Sequence, residues 1–140
     1  MASGKKGLFL SQRKYALEIV AEAGMQGAKP ATTPIQPNHQ LALANGDFLK
    51  DPIKYRRLVG RLIYLTITRP DLVYAVHVLS QFVHAPRIEH YDVVLRVVKY
   101  IKGCPSKGIV LGRDSDLRLI GYSDSDYATC PSTRRSLTGY

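Results

Sequence analysis

The chain has 140 residues and a formal net charge of +9, from 20 Lys+Arg against 11 Asp+Glu. Hydrophobic residues make up 45%, which excludes a disordered chain and allows the packed core of one domain or of two partial ones. Cys104 and Cys130 are too few for a disulfide framework or a zinc site. With no signal-peptide pattern at Met1–Gly7 and no apolar run near the ~18 residues of a membrane span, the chain is expected to be soluble, intracellular and away from membranes.

In chain order, Ser11 to Ala23 predicts a helix. Ser11 suits the N-cap, Ala16, Ile19, Val20 and Ala23 repeat at helical spacing, and Gly24 ends it. Residues 27–48 contain Pro30, Pro34, Pro37 and an Asn45-Gly46 turn, which predicts an extended surface connector. Asp51 to Thr68 reads as the next helix, with Asp51 at the N-cap and Pro52 at the first helical position. Tyr55, Leu58, Val59, Leu62 and Ile63 form its apolar stripe, and Arg56, Arg57 and Arg61 fall away from it. Gly60 weakens this helix by roughly 1 kcal/mol relative to Ala and suggests the close approach of another element.

Arg69-Pro70-Asp71 breaks the pattern, and Leu72, Val76, Leu79 and Val83 mark a third helix that Ala85-Pro86 stops. A fourth runs from Ile88 to Lys102, with Tyr91, Val94, Leu95, Val98 and Ile101 inward and Arg96, Lys99 and Lys102 outward. The period then changes to that of strands. Lys107–Leu111 and Leu117–Tyr122 read as a hairpin around Arg113-Asp114-Ser115-Asp116, and Ser136–Tyr140 begins a further strand. The pattern stops in mid-strand, so a truncated segment is expected. The fold class is α+β: a mostly helical bundle of three to four helices followed by two or three antiparallel strands. The natural divisions are 1–50 (helix and Pro-rich connector), 51–103 (helical region) and 104–140 (strand segment).

Charge is concentrated in the helices. From Asp51 to Gly103 nine Lys+Arg face four Asp+Glu, and from Cys104 onward the count is five against four. Arg56, Arg57, Arg61, Arg96, Lys99 and Lys102 are therefore the candidate nucleic-acid contacts, against the plainer reading of a solvated helix face. Tyr55, Tyr64, Tyr74, Tyr91 and Tyr100 fall on or near core stripes and are not read as base-stacking platforms. Asp124-Ser125-Asp126 follows an apolar strand, where carboxylates two apart share a face and suit a hard divalent cation. The plainer reading is a solvated acidic turn. His84, His90 and Cys104 match no standard zinc spacing.

Several stretches resemble, in order and spacing, the polymerase region of copia-type retrotransposons, especially those of plants. They are the run from Gly7 to Tyr15, Lys29-Pro30 and Thr33-Pro34, Tyr55 to Leu65, Thr68 to Leu72, Leu79 to Phe82, Pro86, His90, Val97 to Gly103, Gly121 to Ala128 and Thr133 to Tyr140. The resemblance implies that 1–50 follows the polymerase palm, that 51–103 is thumb-like, and that 104–140 opens a ribonuclease H-like sheet. It implies that Asp124 matches the first ribonuclease H carboxylate, a ligand of the Mg²⁺ that activates water, with Asp126 a lesser candidate. Tyr127 stands where the family often has Trp, and Cys104 where Thr is usual.

The family's Tyr-Val-Asp-Asp-like motif is missing here, and its other ribonuclease H carboxylates would lie beyond Tyr140. The resemblance thus implies a catalytically incomplete fragment of a Pol polyprotein. Mg²⁺ belongs to the intact parent enzyme and is not expected to bind this chain stably. What remains is weak electrostatic binding of RNA or DNA, an RNA–DNA hybrid above all, with the rest of the polyprotein as partner in the parent. The alternative is a domesticated helical protein-interaction module with no nucleic-acid role.

Overall fold

In a computed structural model that describes residues 1–114 apart from 6 and 38, together with strands 124–126 and 137–139, the chain opens with a hairpin. Strands β1 (Ala2–Gly4) and β2 (Gly7–Leu10) pair antiparallel, with Ser3 opposite Leu8. Helix α1 (Arg13–Glu22) follows, and its buried face is Ala16, Ile19 and Val20. Ser11 does not cap it. The Ser11 hydroxyl donates instead to the Ser106 carbonyl at 3.1 Å, and Gln12 holds the cap position with no side-chain bond. Gly24 adopts the left-handed conformation expected of it, at φ 68°.

The connector is more than a surface strap. Leu41 is buried in a short 3-10 turn over Leu41–Leu43. The His90 ring holds this turn. His90 Nδ1 accepts the Arg87 backbone N–H at 3.0 Å, so Nε2 carries the proton and donates to the Leu41 carbonyl at 3.0 Å. Phe82 stacks on the same ring at 4.0 Å between centroids.

Helix α2 (Pro52–Leu65) starts as its sequence dictates: the Asp51 carboxylate accepts the N–H groups of Ile53 at 3.1 Å and Lys54 at 3.2 Å. Its buried residues are Tyr55, Leu58, Val59, Leu62 and Leu65. Ile63, expected on that stripe, is 49% exposed. Eight residues overshoot two helical turns by about 80°, which carries position 63 off the face that Tyr55 defines. The Tyr55 hydroxyl donates to the Leu79 carbonyl at 2.7 Å, and burial pushes its pKa up.

After a 3-10 turn at Pro70–Leu72 come helix α3 (Val73–Ser80) and, beyond the Pro86 stop, helix α4 (Ile88–Gly103). Ile19, Leu58, Leu62, Leu72, Leu79, Val94, Val98 and Ile101 are all buried in one core shared by the four helices. Strand β3 (Ile109–Gly112) then pairs antiparallel with β2, Leu8 opposite Leu111, giving the order β1-β2-β3. The expected hairpin partner of β3, Leu117–Tyr122, lies outside the described residues, as do Ser115, Asp116, Cys130, Ser136 and Tyr140. Strands β4 (Asp124–Asp126) and β5 (Leu137–Gly139) form a separate antiparallel pair, Asp124 opposite Gly139. The fold is α+β: four helices with a three-stranded open antiparallel sheet. Among the described residues, no helix is long and apolar enough to cross a membrane.

Candidate nucleic-acid interface

Helix α2 carries Lys54, Arg56, Arg57 and Arg61 and no acidic residue, so its outer face is positive by composition. The structure puts three of these charges to work inside the molecule. Arg56 Nε donates to the Val83 carbonyl at 2.7 Å and Nη2 to the His84 carbonyl at 3.3 Å, which ties α2 to the loop after α3. Arg57 pairs with Glu22 of α1, Nε to Oε1 at 2.5 Å. Arg61 pairs with the other oxygen of Glu22, lies 3.6 Å from Glu18, and covers the Tyr15 ring at 4.8 Å. Although burial acts against the charge of Arg61, hydrogen bonds with Tyr15 and Glu22 raise its pKa. Arg56 and Arg57 remain exposed despite these bonds, whereas Arg61 is half-buried.

Gly60 sits between them on the exposed side of α2, and a Cβ there would meet nothing within 4 Å. No described element of this chain uses the room the glycine leaves. One turn on, Tyr64 is 58% exposed and packs edge-on against Tyr15 at 5.5 Å. Ile63 and Ile67 are exposed beside it, and Tyr74 on α3 is exposed as well. The expectation that the tyrosines serve the core thus holds for Tyr55 and fails for Tyr64 and Tyr74. Tyr64 covers the rim of the α1–α2 contact at Tyr15, and the Tyr74 ring lies beside His39 of the connector.

The cations of α4 act differently. Arg96 Nη2 donates to the Thr33 hydroxyl at 3.0 Å, and Lys102 Nζ donates to the Ala28 carbonyl at 2.5 Å. The Lys99 carbonyl accepts the Ala31 N–H at 3.3 Å, while its side chain is half-buried. This face of α4 anchors the connector. Of the six candidate cations, Arg56 and Arg57 are exposed on α2, Arg61 is half-buried beside them, and Arg96 and Lys102 on α4 anchor the connector through their side chains.

One polar cluster escaped the sequence reading. Arg69 is 1% exposed and chelates Asp71, Nε to Oδ1 and Nη2 to Oδ2, both at 2.9 Å. It also reaches the Cys104 carbonyl at 3.0 Å and the Cys104 sulfur at 3.3 Å. The Tyr100 hydroxyl donates to Asp71 Oδ2 at 2.9 Å, and Lys107 Nζ lies 3.2 Å from the same oxygen. Burial works against the Asp71 charge, yet the hydrogen bonds from Arg69 and Tyr100 hold its pKa far below the carboxylate range. The only local signal was an Arg and an Asp two apart around a proline; the partners from residues 100–107 come from the fold.

Among the described residues, no group of three or more His, Cys, Asp and Glu could hold a metal ion. His90 is no ligand, since backbone groups occupy both ring nitrogens. Asp124 and Asp126 lie in β4, and their carboxylate oxygens are the donor type Mg²⁺ takes, one or two at a time, with water and substrate completing its shell.

The chain is 46% identical over 134 residues to a retrovirus-related Pol polyprotein from transposon RE1 of Arabidopsis thaliana, covering 96% of this chain and 9% of that protein. It is 35% identical over 142 residues to the corresponding polyprotein from transposon TNT 1-94 of Nicotiana tabacum, covering 95% of this chain and 10% of the relative. It is also 50% identical over 78 residues to a short uncharacterized mitochondrial protein of Arabidopsis thaliana, covering 56% of this chain and 70% of the relative. The chain thus spans about a tenth of the polyproteins it matches. No family model matches it, and no solved structure does.

Proposed function

Since the chain belongs to one family with that mitochondrial protein and is homologous to a stretch of retrovirus-related transposon Pol polyproteins, we propose that it is a nucleic-acid-holding segment of such a polyprotein. In this reading the parent is an RNA-directed DNA polymerase with ribonuclease H activity, of the copia type. Residues 1–50 follow its palm, residues 51–103 are its thumb-like region, and residues from 104 onward lead into the ribonuclease H domain. By itself the chain holds a nucleic-acid duplex, an RNA–DNA hybrid foremost, and performs no chemistry. Asp124, and Asp126 beside it, would contribute to a Mg²⁺ site that the parent completes.

The observation that carries this reading is the exposed face of α2. A glycine in mid-helix costs about 1 kcal/mol relative to alanine. Here no intramolecular neighbour fills the space that Gly60 leaves open. A partner from outside would account for it. Arg56 and Arg57 beside the glycine suit phosphates, and exposed Tyr64, Ile63 and Ile67 suit the apolar edge of sugars. A duplex presents both chemistries along one groove.

Binding of a labelled RNA–DNA hybrid, followed by anisotropy across a salt titration, tests this. Gly60→Ala should raise the melting temperature, because alanine favours the helix and meets no neighbour, and yet weaken binding. Gly60→Leu should weaken it further, and Arg56→Gln should flatten the salt dependence by about 0.9 in log–log slope. Unchanged affinity in all three variants would refute the α2 track.

A further inference from the structure

Helix α1 carries two acids, Glu18 and Glu22, and both meet arginines of α2. Glu22 is the centre of the arrangement. Its Oε1 lies 2.5 Å from Arg57 Nε, and its Oε2 pairs with Arg61. The Glu22 side chain is 21% exposed and that of Arg57 is 59% exposed, whereas Arg61 is 25% exposed and packed over Tyr15. The two arginines therefore differ in freedom. Arg61 is held by the Tyr15 ring and by both glutamates. Arg57 meets one carboxylate oxygen, and most of its side chain faces solvent.

We propose that Glu22 is a built-in competitor for phosphate that parks Arg57 when no nucleic acid is bound and releases it to the duplex on docking. This deepens the reading of α2 as a nucleic-acid track and rests on it. The exchange is chemically even: a guanidinium leaves one anionic oxygen for another, and no covalent bond changes. A carboxylate and a phosphate offer the same paired-oxygen geometry to the arginine fork. The release leaves no orphan, because Glu22 keeps Arg61 through its second oxygen. Exposed ion pairs are weak, so an incoming phosphate has little to displace. The arrangement tunes affinity downward and keeps Arg57 from gathering unrelated anions. It also makes the end of α1 respond to occupancy of the track, since Glu22 is the last residue of that helix.

The test measures affinity of the full chain for a labelled RNA–DNA hybrid across a salt titration. Glu22→Gln should bind about two- to fivefold tighter at low salt, the range that an exposed ion pair sets. Its salt slope should stay close to that of the wild type, because Arg57 reaches the same phosphate in both complexes. Glu22→Asp keeps the net charge and the helix but shortens the reach to Arg57, and should shift affinity the same way. Asp92→Asn removes an equal charge from an exposed site on α4 and should gain less. Adding Arg57→Gln to Glu22→Gln should erase the gain. A gain equal to that of Asp92→Asn, or one that survives loss of Arg57, overturns the proposal while the α2 track stands. Hybrid binding that ignores Gly60→Leu and Arg56→Gln removes the track itself, and the competitor with it.

Discussion

At the scale of single residues, the Arg69–Asp71 pair bears most directly on stability. Arg69 is among the largest fully buried side chains, and Asp71 is its only charged partner among the described residues. Removing that partner strands a cation inside the protein, a change that typically costs about 3–5 kcal/mol. Asp71→Asn should sit near the lower end, about 3 kcal/mol, because the Asp71 side chain is 24% exposed. Urea unfolding at neutral pH reads this directly. The sign of the pH dependence follows from the lowered pKa. The folded carboxyl holds its proton more weakly than the unfolded one, so its contribution is complete above the unfolded value near ~3.9 and fades as pH falls below it. Wild-type stability should therefore drop as pH falls below about 4, and the drop should be shallower in Asp71→Asn. The Asp51 cap, by contrast, was legible from its own neighbourhood. A cap is a contact between residues two and three apart, whereas the Arg69 cluster needs Tyr100 of α4 together with Cys104 and Lys107 just beyond it.

At the scale of elements, periodicity found the four helices because each buries one face, and it placed the start of α2 through Asp51-Pro52. It missed β1 and β2. A strand of three or four residues, exposed throughout in β1 and in part in β2, has too few positions to display a period of two, and Ala2–Gly4 contains no β-branched residue. The pairing of Lys107–Leu111 with the next apolar run lies outside the described residues; what the sequence did not reveal is that β3 pairs with Gly7–Leu10, far away in the chain. Gly7 makes that pairing possible. Its φ is 135°, and a Cβ there would overlap the Leu111 carbonyl oxygen. Gly7→Ala should therefore separate β2 from β3 while leaving the helical core intact. Hydrogen exchange should show lost protection across 109–112 and preserved protection in α2 and α4. Equal loss in both places would mean that sheet and helices unfold together.

For the whole molecule, the net charge of +9 and the relationship to transposon polyproteins point the same way, yet much of the charge on α4 is spent holding the connector. Sequence reading could count those cations but could not see their backbone partners at Ala28 and Thr33. The chemistry expected of Asp124 is a matter for the whole molecule too, because a hydrolytic metal site needs carboxylates from several elements. The purified chain should not cleave an RNA–DNA hybrid in the presence of Mg²⁺. Turnover that Asp124→Asn abolishes would show a complete site and overturn that expectation. The β2–β3 pairing also has a consequence in time. It joins segments roughly a hundred residues apart in the chain, with all four helices between them. A ribosome adding about 5–20 residues per second leaves β2 without its neighbour for at least several seconds. During that interval the helices can pack locally while the Gly7–Leu10 edge waits open. Among the described elements up to Gly112, the β2–β3 pairing is then the last to close, and the window in which a nascent chain can be captured by another strand is set by translation speed.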